Sequence, residues 1–511
     1  MPVKTRIKPN LYKDSVALMR VAEMLQRDPA ISRATLFMGT PANKEILAES
    51  GLLDEVAAGA GPSDLIIVVE STDAAAIDAA FAGAEAGLTG AAQAAGTAET
   101  IVPRSIAMAL TIGSESGSGA NLAQISVPGA YAGAEALKAV KAGLNVFLFS
   151  DNVSLEQELE IKRLARQRGL LVMGPDCGTA IIGGVPLGFA NVVRRGAIGL
   201  VAASGTGLQE VSSQIHLMGE GISHAIGTGG RDVKAEIGGI TMLMALDVLA
   251  ADPSTRVIGI VSKPPSPEVM RAVVERAGRA GKPVVACFLG GAAIALPDNM
   301  LQTSTLFECA AACVARAREV APAALAETAT PQFSFGVGQR YVRGLFSGGT
   351  FCTEAQIALR AGGVSCHSNV PLEPGLALAH PDRSEAHTML DLGDDDFTVG
   401  RPHPMIDPSL RVARIGREAA DPEVAVLLLD VVLGFAGHID PAGAIAEAIR
   451  QARATASARG DDLVVIAFVC GTEDDPQGRS MQERTLLEAG ALLAPSSTHA
   501  ARLAARLVTR S

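Results

Sequence analysis

The feature that most restricts this chain is an apolar run from Ala197 to Ala203, then Ser204-Gly205-Thr206-Gly207, then an amphipathic segment from Leu208 to Ile215. Apolar residues followed by helical periodicity predict a buried strand that turns straight into a helix. Small residues at such a turn leave N–H groups unpaired at the helix start and backed by its dipole, a seat for phosphate or carboxylate. An ordinary tight turn capped by Ser204 or Thr206 would use the same residues. The pattern returns at Tyr341 to Phe346, with Ser347-Gly348-Gly349-Thr350 and a helix from Phe351 to Leu359. Each copy leads to two further apolar runs: Val257 to Val261 and Pro283 to Leu289, then Val424 to Leu429 and Leu463 to Val469. Two related lobes in one chain are the expectation.

At 511 residues the chain exceeds a single core. Hydrophobic residues make up 48% but aromatics only 3%, the balance of parallel sheets buried by helices on both faces. A net charge of −11 without a basic stripe argues against a nucleic-acid partner. No apolar run approaches membrane-spanning length, and the ten residues from Met1 have no apolar core of a leader, so a cytoplasmic protein without a membrane partner is expected. The seven cysteines are scattered, and Cys309 and Cys313 find no second Cys/His pair to complete a zinc set. They read as reduced, buried thiols, and no metal site is expected.

Taken in order, Val3 to Ile7, Ala34 to Met38 and Leu65 to Val69 read as strands, with a helix from Ser15 to Gln26 and another after Gly39-Thr40-Pro41. Pro41 suits a first helical turn, so Gly39 to Lys44 is a further anion seat or a plain turn. From Ala74 to Ala98 a surface helix runs into a linker. Next, strands at Asn121 to Val127, Asn145 to Phe149 and Leu170 to Met173 alternate with helices from Ala132 to Ala142 and Leu155 to Arg168. That alternation means parallel βαβ units of a doubly wound sheet. The last strand delivers Gly174-Pro175-Asp176-Cys177-Gly178-Thr179.

Between the second seat and the end lies an inserted piece, much of it from His387 to Pro404. Prolines on either side of His403 make a helix implausible, which predicts a stiff loop. Arg401 and His403 on such a loop suit holding a carboxylate and polarising a carbonyl. A loop stapled by its own Asp–Arg pairs is the plainer alternative. Asp394 to Asp396 read as solvated or capping rather than metal-binding. Asp430 stands at a strand end, where open α/β sheets place ligand groups, and could equally cap. Gly229-Gly230-Arg231-Asp232 follows the short strand His224 to Ile226.

Gly174 to Thr179 with the Ser204–Gly207 turn resembles the α subunit of succinyl-CoA synthetase and related acyl-CoA synthetases over about residues 105 to 325. Residues 335 to 511 resemble the β-subunit ligase domain. The whole chain resembles the FdrA-type proteins, through Asp14-Ser15-Val16, Met38 to Lys44, Phe149 to Asn152, Gly229 to Asp232 and Gly400-Arg401-Pro402-His403-Pro404-Met405-Ile406-Asp407. The resemblance implies an α/β fold: a small N-terminal α/β domain (1–104), a Rossmann-like CoA-binding-type domain (105–190) and two flavodoxin-like lobes of the synthetase type (191–330 and 331–511). It also implies that Ser204, Gly205, Thr206 and Gly207 converge with Ser347, Gly348, Gly349 and Thr350 on one phosphate.

The synthetases carry phosphate on a histidine, whereas Val257 to Ile294, the comparable stretch, contains none. Nor is there a counterpart of their Gly-rich CoA turn, which puts the use of CoA in question. For FdrA-type proteins the implied activity is that of an oxamate carbamoyltransferase subunit in ureide catabolism. Phosphate attacks oxalurate directly to give oxamate and carbamoyl phosphate, with no cofactor required and no phosphohistidine. The implied catalytic residues are Arg401, His403 and Arg231. Gly229, Gly230, Asp176, Cys177, Lys263 and Asp430 are the implied substrate contacts. Partners would be other carbamoyltransferase subunits, with carbamate kinase using the product. An acyl-CoA synthetase and a non-catalytic metabolite-binding subunit remain the alternatives.

Overall fold

The computed structural model describes residues 3–509, apart from 12, 14, 27, 29, 91–102, 116–118, 323–332, 334 and 399–400. The chain divides into two compact units. One comprises Met1–Arg104 with Phe397–Pro402, and the other Ser105–Asp396 with His403–Ser511.

The first unit runs β1 (Val3–Lys8), α1 (Ser15–Gln26), β2 (Arg33–Met38), α2 (Pro41–Glu49), α3 (Glu55–Gly59), β3 (Leu65–Glu70) and α4 (Ala74–Gly90). Its sheet has the order β1–β3–β2, with β3 antiparallel to both neighbours. Central β3 is apolar and buried from Leu65 to Val69, as a strand covered on both faces requires. Lys44 donates to the carbonyls of Ala58 (2.8 Å) and Ala60, so the turn at Thr40 is closed by its own lysine. The expected linker beyond α4 lies outside the described residues.

In the larger unit α5 (Ile106–Glu115), β4 (Leu122–Ile125), α6 (Gly129–Lys141), β5 (Asn145–Leu148), α7 (Leu155–Gln167) and β6 (Val172–Met173) form a three-stranded parallel sheet, β4–β5–β6. The hairpin β7 (Thr179–Ile182) and β8 (Val185–Gly188) follows. It joins the next sheet, although the sequence places the boundary at 190: β7 pairs antiparallel with β10.

That next sheet is built from β9 (Arg195–Ala202), α8 (Gly205–Leu217), β10 (Ile222–Gly227), α9 (Ile240–Ala251), β11 (Val257–Ser262), α10 (Pro267–Gly278), β12 (Val284–Phe288), β13 (Met300–Thr303) and α11 (Leu306–Arg318). Its order is β13–β12–β11–β9–β10–β7–β8, parallel except at the hairpin. The second lobe contains β14 (Tyr341–Phe346), α12 (Gly349–Ala361), β15 (His367–Ser368), β16 (Thr388–Asp391), α13 (Asp395–Thr398) and α14 (Ser409–Ala420). It continues with β17 (Val424–Val432), α15 (Pro441–Ser457), β18 (Val464–Cys470), α16 (Arg479–Glu488), β19 (Leu492–Leu493) and α17 (Ser497–Thr509). All six strands are parallel, in the order β15–β16–β14–β17–β18–β19.

One expectation is corrected here. Residues 388–391, read as part of a stiff loop, form the buried strand β16 between β15 and β14. Met389 opposes Gly344 in the register, and a Cβ on Gly344 would collide with the Met389 sulfur. The glycine thus makes room for the strand.

The two lobes share one apolar core, in which residues of α8 and α11 meet those of α12 and α17. This explains a second departure from the sequence pattern. Helix α8 reads as amphipathic, yet every residue from Thr206 to His216 is buried. Its polar face is covered by the other lobe: Gln209 donates to Phe189 O (2.6 Å) and Leu433 O (3.1 Å), and Gln214 to Pro495 O (3.1 Å). Asp475 accepts from Asn191 (2.9 Å) and from Val192 N–H (2.7 Å) across the same boundary. Buried polar groups satisfied in this way fix the lobes in one register. All seven cysteines are buried and unpaired.

Candidate functional site

The two small-residue turns meet. Ser204 caps α8, its Oγ accepting from Gly207 N–H (3.0 Å), and the same oxygen shares a short hydrogen bond with Thr350 Oγ1 at the start of α12. Thr206 reaches back over the cap of the other helix: a Cβ on Gly348 would lie 2.6 Å from Thr206 Cγ2. Each N-terminus therefore rests on a threonine of its counterpart, which requires glycine at 348.

The turns differ in charge. At α8 the N–H groups of Gly205 and Thr206 have no acceptor among the described residues. Thr179 Oγ1 is buried without a partner and stands 3.8 Å from where a Cβ on Gly205 would be. Two free N–H groups, an orphan hydroxyl and a helix dipole make an anion seat. The start of α12 already holds an anion. Ser347 and Gly348 donate their N–H groups to the Asp430 carboxylate at 3.0–3.1 Å, and the Ser347 hydroxyl joins them. Arg411, itself buried, pairs with Asp430 (2.9 Å). Asp430 is wholly buried; expected to meet substrate, it clasps the turn from below. Asp391, at the end of β16, adds a second carboxylate, against which a Cβ on Gly349 would collide. The two turns do converge, as the resemblance implies, but they differ in charge: the free N–H groups at the first turn suit an anion, and the carboxylates at the second oppose one.

His403 comes to the second turn from the proline-flanked loop. Its ring packs on Phe189 (centroids 5.6 Å apart), which packs on Phe149 (5.2 Å). Met405 N–H donates to His403 Nδ1 (3.2 Å), so the neutral ring carries its proton on Nε2. Burial holds the imidazole down at about 4, so it stays neutral at ordinary pH. Nε2 lies 2.6 Å from where a Cβ on Gly393 would be, beside Ser347 O and Asp391. His403 is thus a hydrogen-bond donor whose Nε2 is blocked as a nucleophile by its own proton.

The remaining expected residues fall into three places. Arg231 pairs with the buried Glu158 (2.9 Å) and donates to Val153 O (2.7 Å). Glu158 also binds the buried Lys162 (2.9 Å), which reaches Asp232 (2.8 Å). Arg231 therefore ties α7 to the first lobe, because the buried carboxylate needs counter-charges. Gly229, at φ +79°, brings its backbone against Pro175 O, where any Cβ would clash, and exposed Gly230 follows. This sets Asp176 beside the Gly-Gly turn. The surrounding protein, with Asp151 and Asp395, pushes the Asp176 carboxyl up to about 7, although the residue reaches solvent. Cys177 is a packed thiol raised by burial to about 12. Lys263 is exposed and its charge acts on Asp391 and Asp394 across the lobe boundary. Arg401 belongs to the segment that groups with the first unit, whereas His403 belongs to the larger one.

Sequence reasoning missed Thr179 and Asp391. Thr179 follows a glycine-rich segment whose hairpin pairing was not visible. Asp391 ends a parallel strand, the usual position for a ligand group, but its strand read as loop.

Comparison with known proteins follows these divisions. A family model described as a CoA-ligase matches residues 345–507, and one described as a CoA binding domain matches 194–291. A third, described as the AllF heavy metal-associated domain, matches 1–103. YahF, an uncharacterized protein of Escherichia coli (strain K12), is 43% identical over 536 residues, covering 100% of this chain and 99% of its own length. SauD, a subunit of the ADP-forming sulfoacetate-CoA ligase of Bilophila wadsworthia (strain 3_1_6), is 29% identical over 34% of this chain and 60% of itself. The alpha subunit of the ADP-forming succinate–CoA ligase of Aquifex aeolicus (strain VF5) is 28% identical over 34% of this chain and 57% of itself. The match thus spans less than two thirds of either ligase subunit.

The metal implied by one of those descriptions can be tested against the residues. Residues 1–103 contain neither cysteine nor histidine, so this stretch offers no thiolate or imidazole ligand to a metal.

Proposed function

The chain belongs to the FdrA-type family together with YahF, and from that premise we propose that it is a carbamoyltransferase subunit interconverting oxalurate plus phosphate with oxamate plus carbamoyl phosphate. The observation that carries the reading is an anion seat without a histidine nucleophile. Val257 to Ile294 contains no histidine, and His403 presents Nε2–H rather than a lone pair. Phosphate at the α8 start would be held by Gly205 and Thr206 N–H and by the Thr179 hydroxyl, beside the Ser204–Thr350 pair.

An oxygen of hydrogen phosphate attacks the carbamoyl carbon of oxalurate, and a C–O bond forms. The bond from that carbon to the oxamate nitrogen breaks, and the phosphate proton passes to the departing nitrogen. Holding both reactants in one cleft supplies much of the acceleration. The neutral His403 donor polarises a carbonyl without giving up its proton, a role its place on the proline-flanked loop suits. The reaction so written needs neither CoA nor nucleotide. Other subunits would complete the enzyme, and carbamate kinase would use the product.

The matches to CoA-ligase and CoA-binding models favour a second reading, an acyl-CoA synthetase. Carbamoyl phosphate formation from oxalurate and phosphate, by the chain alone and with its companion subunits, separates the two. The expected result is formation without CoA, lost in Gly205→Val. A Cβ there meets only Thr179, at ordinary contact distance, and the branched side chain beyond it occupies the seat. CoA-dependent nucleotide hydrolysis with no carbamoyl phosphate would overturn the reading.

A further inference from the structure

We propose that Lys263 is a carboxylate clamp beside the phosphate seat, its ammonium holding the carboxylate of an oxamate-type anion while the start of α8 holds the phosphate; the proposal rests on the carbamoyl-transfer reading.

The sheet order puts Lys263 at the mouth of a crevice. From β9 the chain crosses to β10 on one side, and from β11 it crosses to β12 on the other, in the order β12–β11–β9–β10. Where parallel strands part in this way a gap opens outside their carboxyl ends, the usual place for a ligand. Val261 is level with Ala202 in the register, so two residues further on Lys263 stands level with Ser204. Its root is fixed: the Ser262 hydroxyl donates to Lys263 O (2.5 Å), and Pro264 and Pro265 stiffen the chain that follows. Its head is not. The residue is exposed, and its ammonium makes no ion pair or hydrogen bond with the described residues.

Three elements of the second lobe place that charge. Lys263 acts on Asp391 at the end of β16, on Asp394 in the loop beyond it and on the Cys352 thiol in α12. A carboxylate in contact with an ammonium lies below its usual range, whereas burial carries Asp391 up to about 7 despite Lys263. The cation is therefore left for a ligand. The phosphate seat opens toward the opposite side of β9. Thr179 Oγ1, buried without a partner, comes from β7, which pairs with β10. The N–H groups of Gly205 and Thr206 thus lie between an orphan hydroxyl on the β10 side and an ammonium on the β11 side. Neutral donors take the phosphate, and the ammonium takes the second anion as a point charge. The second lobe lacks this arrangement. There Leu345 is level with Leu429, so Asp430 stands where the first lobe has Val261, and Val432 where it has Lys263.

Isothermal titration of the full chain with phosphate, and with oxamate in saturating phosphate, tests this. Lys263→Met removes the charge at an exposed position and keeps most of the side-chain length. Oxamate should bind this variant about ten- to a hundredfold more weakly, the loss of one charged hydrogen bond, while phosphate affinity changes by less than about threefold. Lys263→Arg should retain most of the oxamate binding. In Lys263→Ala, added ethylammonium should restore part of the affinity, and tetramethylammonium, which has no N–H, should not; a role in packing alone predicts no such difference. Unchanged oxamate affinity in Lys263→Met, an equal loss for phosphate, or no oxamate binding by the natural chain would each overturn the proposal. Carbamoyl phosphate formation with a KM for oxalurate unmoved by Lys263→Met would sink the clamp alone. Lys263-dependent oxamate binding with no carbamoyl phosphate would sink the transfer reading alone.

Discussion

At the scale of single residues, the second nitrogen of His403 decides its chemistry. Because Met405 N–H donates to Nδ1, a proton there would set two donors against each other, and Nε2 keeps the hydrogen. With burial holding the ring down at about 4, unfolded chains take up the proton near the ordinary 6.5 while the folded protein does not. Acid below 6.5 therefore erodes stability, and between pH 6.5 and 8 the ring contributes no slope. We expect nitrogen chemical shifts of a neutral Nε2–H tautomer throughout pH 5.5 to 8. No limb of a rate profile in that window should belong to His403. His403→Phe removes the donor and should lower turnover by about 10² to 10³, as loss of an oxyanion donor does, while His403→Gln should retain a good part. A cationic imidazole at pH 7 would end this account.

At the scale of elements, the two helix starts are equivalent in form and opposite in content. Gly348→Ala would drive a Cβ to 2.6 Å from Thr206 Cγ2 and 2.8 Å from its Oγ1. Overpacking of this kind costs about 1–3 kcal/mol, and here it pushes α8 and α12 apart. Adding Thr206→Ala removes the two closest struck atoms and leaves Phe351 Cδ2 at 2.9 Å, so the double variant should recover part of the denaturant midpoint lost by Gly348→Ala; simple additivity would exclude the threonine contact as the cause.

The strand–turn–helix units themselves were legible, because β9 and β14 are mostly apolar, interrupted only by Arg195 and Arg343, and are followed by small residues. What separates the two turns was not. The anion under the second comes from Asp430, 83 residues away in sequence, and parallel-sheet partners leave no trace in local spacing. Asp391 escaped for a related reason: four residues of buried strand between polar loops do not show a period. Arg231 was misassigned because its partner Glu158 reads as one more charge on an exposed helix, while the fold buries it.

At the scale of the whole molecule, the junction of the lobes is itself a titrating element. Glu210 and Glu354 each stand six residues past the cap of their helix and face one another within the shared interior. Glu210 accepts from Gln214 and Ser497 N–H, and Glu354 from Leu306 N–H, Ser497 and Thr498, so both carboxyls are tied to the start of α17 or its surroundings. Burial, and then the like charge of Glu354, raise the Glu210 carboxyl from 4.5 to about 7. The folded protein thus holds a proton that the unfolded chain releases, and stability contributed by this group falls as pH rises from 4.5 through 7. Comparison with Glu210→Gln, which stands in for the protonated acid, cancels opposing trends from His403 and His387. Between pH 5 and pH 8 the natural chain should lose roughly 2–3 kcal/mol relative to that variant, because each pH step between the two titration midpoints changes the folding equilibrium about tenfold. Urea midpoints of both proteins at the two pH values measure it. Parallel pH dependence in the two would mean that Glu210 is ionised in the folded state. The lobes would then have to hold two facing, buried carboxylates at neutral pH against their own desolvation, with the charges of Arg479 and Arg502 as the counterweight.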